Sequence, residues 1–368
     1  MVEKSKSKAI LLYDATSKRV IWEKNSDMRL PFASIVKVVT VILAIEKCSS
    51  PSDTLIEMEE KVLNYVLPLK PSLSALSFYP GRSFPVLDFI YASIVSSGCE
   101  AAMQLALYIG DGDMSIYLDK VSELLNKLNC KDTNIIEPTG LTDEGQYSTA
   151  RDITRIFDYA MQNPLFVRIV STSWYQSPYH PGIDDTTNVL MRPDYNDFNA
   201  YAIGGKTGTT DEAGRCLVCG FERKERRYIL VTLGYPFINT TENQVQFYRE
   251  EINPLIFSTF NEDRDFIKVR LPFHLKKVNA NDEFKLEPII SCKNPDCKAR
   301  PVFISENEKI ATVDEAGLVK VHEPGFTQIE AITYTGDYDI CYIDSRGKDA
   351  EIRRIRTPKY IETFWNDV

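Results

Sequence analysis

Hydrophobic and polar positions along the chain follow two different periods, and the change from one to the other divides it. Residues 9–14 (Ala-Ile-Leu-Leu-Tyr-Asp) and 19–24 (Arg-Val-Ile-Trp-Glu-Lys) are apolar runs flanking the polar stretch Ala15–Lys18, the pattern of a β-hairpin. From Ser34 to Ile45 the residues Ile35, Val36, Val38, Val39, Val41, Ile42, Leu43 and Ile45 occupy every side of a helical wheel, which predicts a helix buried on all faces. Helical patterns return at about 87–109, 114–128 and 149–162, broken by turns bearing Pro and Gly. After a polar stretch near 176–196, Ala202–Thr209, Arg215–Phe221 and Tyr228–Leu233 read as strands, the last two joined by the charged turn Glu222–Arg227. A helix is expected at about 241–259. Together these predict one α/β domain, 1–265, whose sheet uses both ends of its sequence.

Beyond about residue 266 the texture changes to short β runs separated by turns, the pattern of a sandwich. Val302–Ile304, Ile310–Val313, Leu318–Val321 and Gln328–Ile332 are such runs, with Asp314–Gly317 and Pro324-Gly325 as turns. The segment Ile310–Gly325 resembles a bacterial immunoglobulin-like domain of the group-2 kind. A second domain, 266–368, is therefore expected as a small all-β sandwich, a spacer or binding surface with no chemistry implied.

The 368 residues carry 43 Lys+Arg against 52 Asp+Glu, a net charge of −9, with pI near 5.1. That balance argues against a nucleic-acid partner, which would need a clustered basic excess; Arg223-Lys224, Arg226-Arg227, Arg353-Arg354 and Arg356 are short, interrupted groups that read as solvated positions. With only three His (His180, His274, His322), acid–base chemistry is expected from Lys or carboxylates. The first residues, Met1–Lys8, have the charge of a signal peptide's start but no apolar core of about 7–15 residues behind it, and no run is long enough to span a bilayer. Either the protein works inside the cell or an export segment lies outside the sequence as given. The eight Cys fit a disulfide set or reduced thiols equally.

The pattern Ser-x-x-Lys occurs three times, at Ser5/Lys8, Ser34/Lys37 and Ser345/Lys348. Only Ser34/Lys37 opens a buried helix, where residues three apart share a face and the hydroxyl can meet the amine. A Ser hydroxyl is a poor nucleophile until a base takes its proton, and an amine serves only when burial or nearby positive charge lowers its pKa. The unpaired N–H groups of the first helical turn would stabilise an oxyanion near Ser34. The bland alternative is a Ser cap with a Lys that snorkels to water. Two further elements weigh against it. Lys206-Thr207-Gly208 follows Gly204-Gly205 at the start of a strand, where it offers donors to an extended peptide, and Ser97-Gly98-Cys99 supplies a second hydroxyl at a helical break.

These residues resemble the penicillin-binding proteins of the D-alanyl-D-alanine carboxypeptidase type, peptidase family S11, which share their transpeptidase-like fold with serine β-lactamases. The resemblance covers about residues 8–260 and rests on Pro31–Lys37, Ser97–Ala102, Glu137–Asp143 with Ser148–Asp152, and Gly205–Gly214. It implies an α/β (α+β) transpeptidase/β-lactamase-like domain with an antiparallel sheet and a helical subdomain, followed by the Ig-like sandwich. It also implies Ser34 as the acylated nucleophile, Lys37 as its proton acceptor, and Ser97 as the relay to the leaving group, with Lys206 in electrostatic support. Thr207 and Thr209 would bind the terminal carboxylate of a peptidoglycan stem peptide ending in D-Ala-D-Ala, along the strand that passes Gly208. The N–H groups of Ser34 and Thr209 would form the oxyanion hole. No cofactor or metal is implied. β-Lactams are expected as acylating ligands, and the place of action as extracytoplasmic, secreted or at the envelope, with the export signal and any membrane tether absent from the chain as given.

Two positions depart from the family pattern. Cys99 stands where Asn is usual, and a thiol is a weak donor and acceptor, so reduced or altered activity is expected. Glu137 stands where Asn before Pro is common and is expected to shape a loop. Two other readings stay open: a serine β-lactamase, against which no loop Glu suited to fast deacylation is found, and a catalytically weakened wall-binding or scaffold protein, motivated by Cys99 and the β module. Cys216-x-x-Cys219 reads as buried strand thiols rather than a zinc half-site. Cys292 and Cys297 flank a turn and leave a local disulfide open. Trp22, Trp174 and Trp365 read as packing residues.

Overall fold

The computed structural model describes residues 5–69, 71–141, 145–180, 182–192, 195, 197–199, 201–223, 226–260, 267–272, 275–292, 301–332 and 338–346. They form two compact units. One lies within Met1–Met191 and Ala202–Glu251, the other within Arg192–Tyr201 and Ile252–Ile355.

The first unit is built on a five-stranded sheet of β1 (Ala9–Asp14), β2 (Arg19–Lys24), β3 (Ala202–Thr210), β4 (Gly214–Arg223) and β5 (Arg226–Tyr235), in the order β2-β1-β5-β4-β3. Every pairing is antiparallel. The expected hairpin forms because Asp14 Oδ1 accepts from the N–H groups of Thr16 (3.0 Å) and Ser17 (2.9 Å), a side-chain turn that reverses the chain. Pairing of β1 with β5, Leu11 opposite Val231 and Leu12 opposite Leu230, joins the two ends of the sequence. Among the described residues β3 is an edge strand, with one side paired to β4 and no strand on the other.

The helix expected from Ser34 begins as a 3-10 turn, Ala33–Val36, and continues as α1 (Lys37–Lys47), in which every residue from Lys37 to Ile45 is buried. Burying each Val, Leu or Ile contributes about 1.5–3 kcal/mol; the one charged side chain buried in this helix, Lys37, contributes nothing of that kind and needs another reason to be there. Around α1 pack α2 (Val86–Ile94), α3 (Cys99–Ile109), α4 (Met114–Lys127), α5 (Ala150–Ala160) and α6 (Pro164–Val170), with α5 also lying on β1 and β5. The single pattern read at 87–109 is two helices. Ser97, at φ 65°, cannot continue a right-handed helix. α6 lies beyond the helical patterns read from the sequence; its start is marked by Asn163, whose Oδ1 accepts from Leu165 and Phe166 N–H, and by Pro164 at the first helical position.

The helix expected at 241–259 is interrupted. It runs as α7 (Thr241–Gln246) and a π-helical turn (Phe247–Ile252), and α8 (Asn253–Phe260) belongs to the second unit. That unit also holds a pair of strands, Ile267–Arg270 and Ile289–Cys292, a four-stranded sheet and a three-stranded sheet. The four-stranded sheet runs Leu275–Lys277, Tyr338–Asp344, Phe326–Ile332, Val302–Ser305; the three-stranded one runs Glu283–Lys285, Leu318–Val321, Ala311–Val313. Val319, Val321 and Ala311 from one sheet share a buried core with Ile329, Ala331, Cys341 and Ile343 from the other. The turn at Asp314–Gly317 is held by Asp314 Oδ1, which accepts from Ala316 and Leu318 N–H (both 2.9 Å).

Candidate active site

Three segments far apart in sequence meet at the free edge of β3. From the 3-10 turn comes Ser34, directly after Ala33, which is held at φ 47°. From the break between α2 and α3 comes Ser97, also left-handed, with Cys99 at the first position of α3. From β3 come Lys206, Thr207, Gly208 and Thr209. Ser34, Ser97, Thr207, Gly208 and Thr209 all line one cleft of about 570 Å³ including its open mouth, together with Ser72, Thr187, Arg215, Cys216, Gln244, Phe247 and Tyr248.

Gly208 explains how the strand comes so close. A Cβ at this position would lie 2.7 Å from Phe32 O and 3.1 Å from Ser34 N, so any side chain would push β3 away from the turn that carries Ser34. Gly140, at φ 78°, makes the same approach from the opposite wall, where a Cβ would meet Ala33 O at 2.2 Å.

Lys37 is fully buried and its Nζ donates to Ser34 Oγ (2.8 Å), Ser97 Oγ (3.2 Å) and Cys99 Sγ (3.4 Å). The short Ser34–Lys37 bond works in either direction: the ammonium donates to the hydroxyl, and the free amine accepts from it. Lys206 is 1% exposed, and its Nζ donates to Thr207 O (2.8 Å). Burial pushes the Lys206 amine well below the usual lysine range, and the charge of Lys37 pushes in the same direction while Cys99 opposes. The two lysines therefore sense one another in one desolvated site. Thr207 Oγ1 bonds Thr187 Oγ1 at 2.5 Å.

The walls are fixed by buried carboxyl groups. Glu137 Oε2 accepts from Thr139 N–H (2.7 Å) and hydroxyl (2.5 Å), and Oε1 from Gly140 N–H (2.6 Å) and Gln146 Nε2 (3.1 Å). This knot sets the turn whose Thr139 O accepts from Ser34 Oγ (3.4 Å), which is the form that loop shaping by Glu137 takes. Glu100 supports the other wall. Its Oε1 accepts from Ser74 N–H (2.8 Å), and its Oε2 lies 3.3 Å from where a Cβ of Gly98 would be. Ser74 Oγ in turn donates to Asp184 (2.6 Å). Burial raises the Glu100 carboxyl to about 7, with Asp184 adding to the rise and Ser74 N–H and Lys37 opposing it.

All eight residues singled out from the sequence (Ser34, Lys37, Ser97, Cys99, Lys206, Thr207, Gly208, Thr209) are brought together in this site. The rival pattern at Ser5/Lys8 is not part of it, since Ser5 Oγ and Ser7 N–H are bound to Glu251; Lys348 of the third lies outside the described residues, as does Cys297, the partner proposed for Cys292. Cys216 and Cys219 are buried thiols on β4. Sequence reasoning missed Thr187, Arg215, Gln244, Phe247 and Tyr248. No local pattern in the sequence marks them; Arg215 joins the site through the register that sets it opposite Thr209.

Comparison with known proteins agrees with this geometry. The family model described as D-alanyl-D-alanine carboxypeptidase, peptidase S11, matches residues 2–236. D-alanyl-D-alanine carboxypeptidase DacF of Bacillus subtilis is 27% identical over 233 residues, 62% of this chain and 57% of the relative. A D-alanyl-D-alanine carboxypeptidase of Streptomyces sp. strain K15 is 26% identical over 234 residues, 61% of this chain and 79% of the relative. The matched region thus spans little more than half the Bacillus protein. Among solved structures, a serine-to-alanine mutant of the Streptomyces K15 DD-transpeptidase superposes with a TM-score of 0.63 at 21% identity, covering 70% of this chain and 98% of that one; at that identity the likeness concerns the fold. On the family match, which takes in more than half its length, the chain belongs to the D-alanyl-D-alanine carboxypeptidase family, peptidase S11.

Proposed function

We propose that this chain is a serine-type D-Ala-D-Ala carboxypeptidase acting on peptidoglycan stem peptides through an acyl-enzyme at Ser34. The observation that carries the reading is the contact of Lys37 Nζ with both Ser34 Oγ and Ser97 Oγ beside the edge strand of Lys206. The peptide lies along β3 as an added strand, its terminal carboxylate at Thr207 and Thr209. Free Lys37 takes the Ser34 proton as Oγ attacks the carbonyl carbon of the penultimate D-Ala. The oxyanion is stabilised by Ser34 and Thr209 N–H. The C–N bond then breaks, the proton passes through Ser97 to the leaving amine, and D-Ala departs. Water completes the cycle by hydrolysing the ester at Ser34. Lys206 supports this relay electrostatically from the edge strand, against a burial that disfavours its ammonium form.

In this reading residues 1–265 are the peptidase domain and 266–368 an Ig-like sandwich, the latter supported by two sheets that share one core. The same logic makes β-lactams acylating ligands, the place of action extracytoplasmic, and cofactors unnecessary. Among the described residues no helix is long and apolar enough to cross a membrane.

The test is to incubate wild type and Ser34→Ala with a fluorescent penicillin, then with a D-Ala-D-Ala peptide. Stable labelling of wild type with release of D-Ala, both abolished by Ser34→Ala, is expected. Rapid loss of the label would point to a β-lactamase, and an unlabelled wild type to a wall-binding or scaffold role.

A further inference from the structure

We propose that Glu100 and Asp184, two buried carboxyl groups joined through Ser74, are positioning residues for acyl transfer: they brace the turn that sets Ser97 against Lys37, and they release it as they take up charge. The inference rests on the carboxypeptidase reading and deepens it.

Ser97 sits at φ 65°, a left-handed conformation that costs a residue with a side chain about 1–2 kcal/mol and lasts only where its surroundings enforce it. Those surroundings lie behind the turn. Gly98 N–H donates to Ala92 O and Cys99 N–H to Ser72 O, both at 2.9 Å. A Cβ on Gly98 would stand 3.3 Å from Glu100 Oε2 and 3.3 Å from Ser74 Cβ, so the carboxyl group and the serine press against the turn itself. Ser74 gives its N–H to Glu100 Oε1 (2.8 Å) and its hydroxyl to Asp184 Oδ2 (2.6 Å), while Ala75 N–H donates to Asp184 Oδ1 (2.7 Å). One residue thus ties an acid of α3 to an acid of the short strand Asp184–Asp185. Two positions before it, Ser72 holds the backbone of Cys99.

Neither acid takes part in the proton transfers of Ser34, Lys37 and Ser97. Glu100 Oε2 has no partner among the described residues, and an ionised group would leave that oxygen buried without a donor. In keeping with this, burial raises Glu100 to about 7 and pushes Asp184 upward, where hydrogen bonds from Ser74, Ser96 and Ala75 oppose it. The charged groups facing the pair are Lys37 from α1, which opposes the rise of Glu100, and His180 from the segment leading to Asp184, which opposes the rise of Asp184. As pH climbs through about 7, Glu100 gives up its proton, is drawn toward Lys37 and is repelled by Asp184. The support behind Gly98 is then pulled two ways, and the 3.2 Å contact of Lys37 with Ser97 yields.

The test follows penicillin acylation between about pH 5 and about pH 8, in wild type, Glu100→Gln, Asp184→Asn and the double variant, with a melting temperature for each to confirm a folded sample. The rate of Glu100→Gln relative to wild type should rise about two- to tenfold across that range, the worth of one hydrogen bond, because Gln keeps an acceptor for Ser74 and cannot ionise. The rise should fall on the maximal acylation rate and not on the penicillin concentration that gives half of it, since Ser97 serves proton transfer rather than binding. Once Asp184→Asn has removed the repelling charge, adding Glu100→Gln should change the pH profile less. Glu100→Ala, which leaves Ser74 N–H without an acceptor, should be slower than Glu100→Gln at every pH. A relative rate that is constant with pH, an equal rise in the Asp184→Asn background, or a Glu100→Ala as fast as Glu100→Gln overturns the brace and leaves the peptidase reading intact. A wild type that takes up no penicillin and releases no D-Ala at any pH overturns both.

Discussion

Glu137 and Glu100 are both buried against the walls of the same cleft, yet Glu137 accepts four hydrogen bonds from Thr139, Gly140 and Gln146, whereas Glu100 Oε2 has no partner among the described residues. The difference is one of donors, since both groups are almost wholly out of water. A carboxyl group that collects donors from its own loop ties that loop down at several points. A carboxyl with one donor and a second acid, Asp184, nearby is held between two protonation states. The wall next to the nucleophile is thus pinned by four hydrogen bonds, and the wall carrying Ser97 and Cys99 rests on a carboxyl raised to about 7.

Removing the better-satisfied group should do the most harm. Glu137→Ala strands four buried donors at once and withdraws the turn that abuts Ala33 and Ser34. A loss of about 3–5 kcal/mol in a urea titration is expected, together with slower penicillin acylation. Glu137→Gln, which keeps an acceptor, should lose less. An Ala variant as stable as wild type would show that the knot is incidental.

Glu100 sharpens the contrast through pH. Its folded pKa, about 7, lies above its ordinary value of about 4.3. Between those values the folded protein keeps a proton that the unfolded chain has released. The stabilisation is complete below the unfolded pKa and is lost as pH rises through the folded one. Asp184 is raised in the same direction, first by burial, and contributes its own slope in both proteins. Glu100→Gln cannot ionise, so its stability relative to wild type should rise from pH 5 to pH 8, by up to about 3 kcal/mol. Equal shifts in melting temperature at the two pH values would mean that Glu100 does not titrate there.

The same contrast governs what could be read from the sequence. Ser34, Lys37, Ser97 and the Lys206 strand were legible because short motifs sit on elements with strong local signals: an all-apolar helix, a helical break, and a strand after paired glycines. Hydrophobic alternation likewise located all five strands of the first sheet. The support around the site was not legible. That Glu100 would meet Ser74 and Asp184, or Arg215 stand beside Thr209, depends on chain crossings and register that no local pattern encodes. The interruption at Phe247–Ile252 was hidden for a similar reason, because a π-helical turn keeps the apolar content of the helix it interrupts. In the second unit, Glu283–Lys285 and Leu275–Lys277 are three-residue strands, too short to register as a period.

Cys99 gives the finest test, on the wall that Glu100 supports. Lys37 Nζ contacts Ser34, Ser97 and Cys99, and the thiol is the weakest partner of the three. The backbone of Cys99 is tied down independently, its N–H donating to Ser72 O at 2.9 Å, so a side chain of similar volume can replace the thiol without moving the turn. In Cys99→Asn the amide oxygen would hold the Lys37 amine more firmly, and the amide N–H₂ would offer the substrate backbone a donor that sulfur lacks. One added hydrogen bond is worth about 0.5–1.5 kcal/mol net, which places the expected gain in penicillin acylation rate at about two- to tenfold. An unchanged or lower rate would mean that the site is tuned to the thiol as it stands, with Ser34 and Ser97 alone setting the position of the amine.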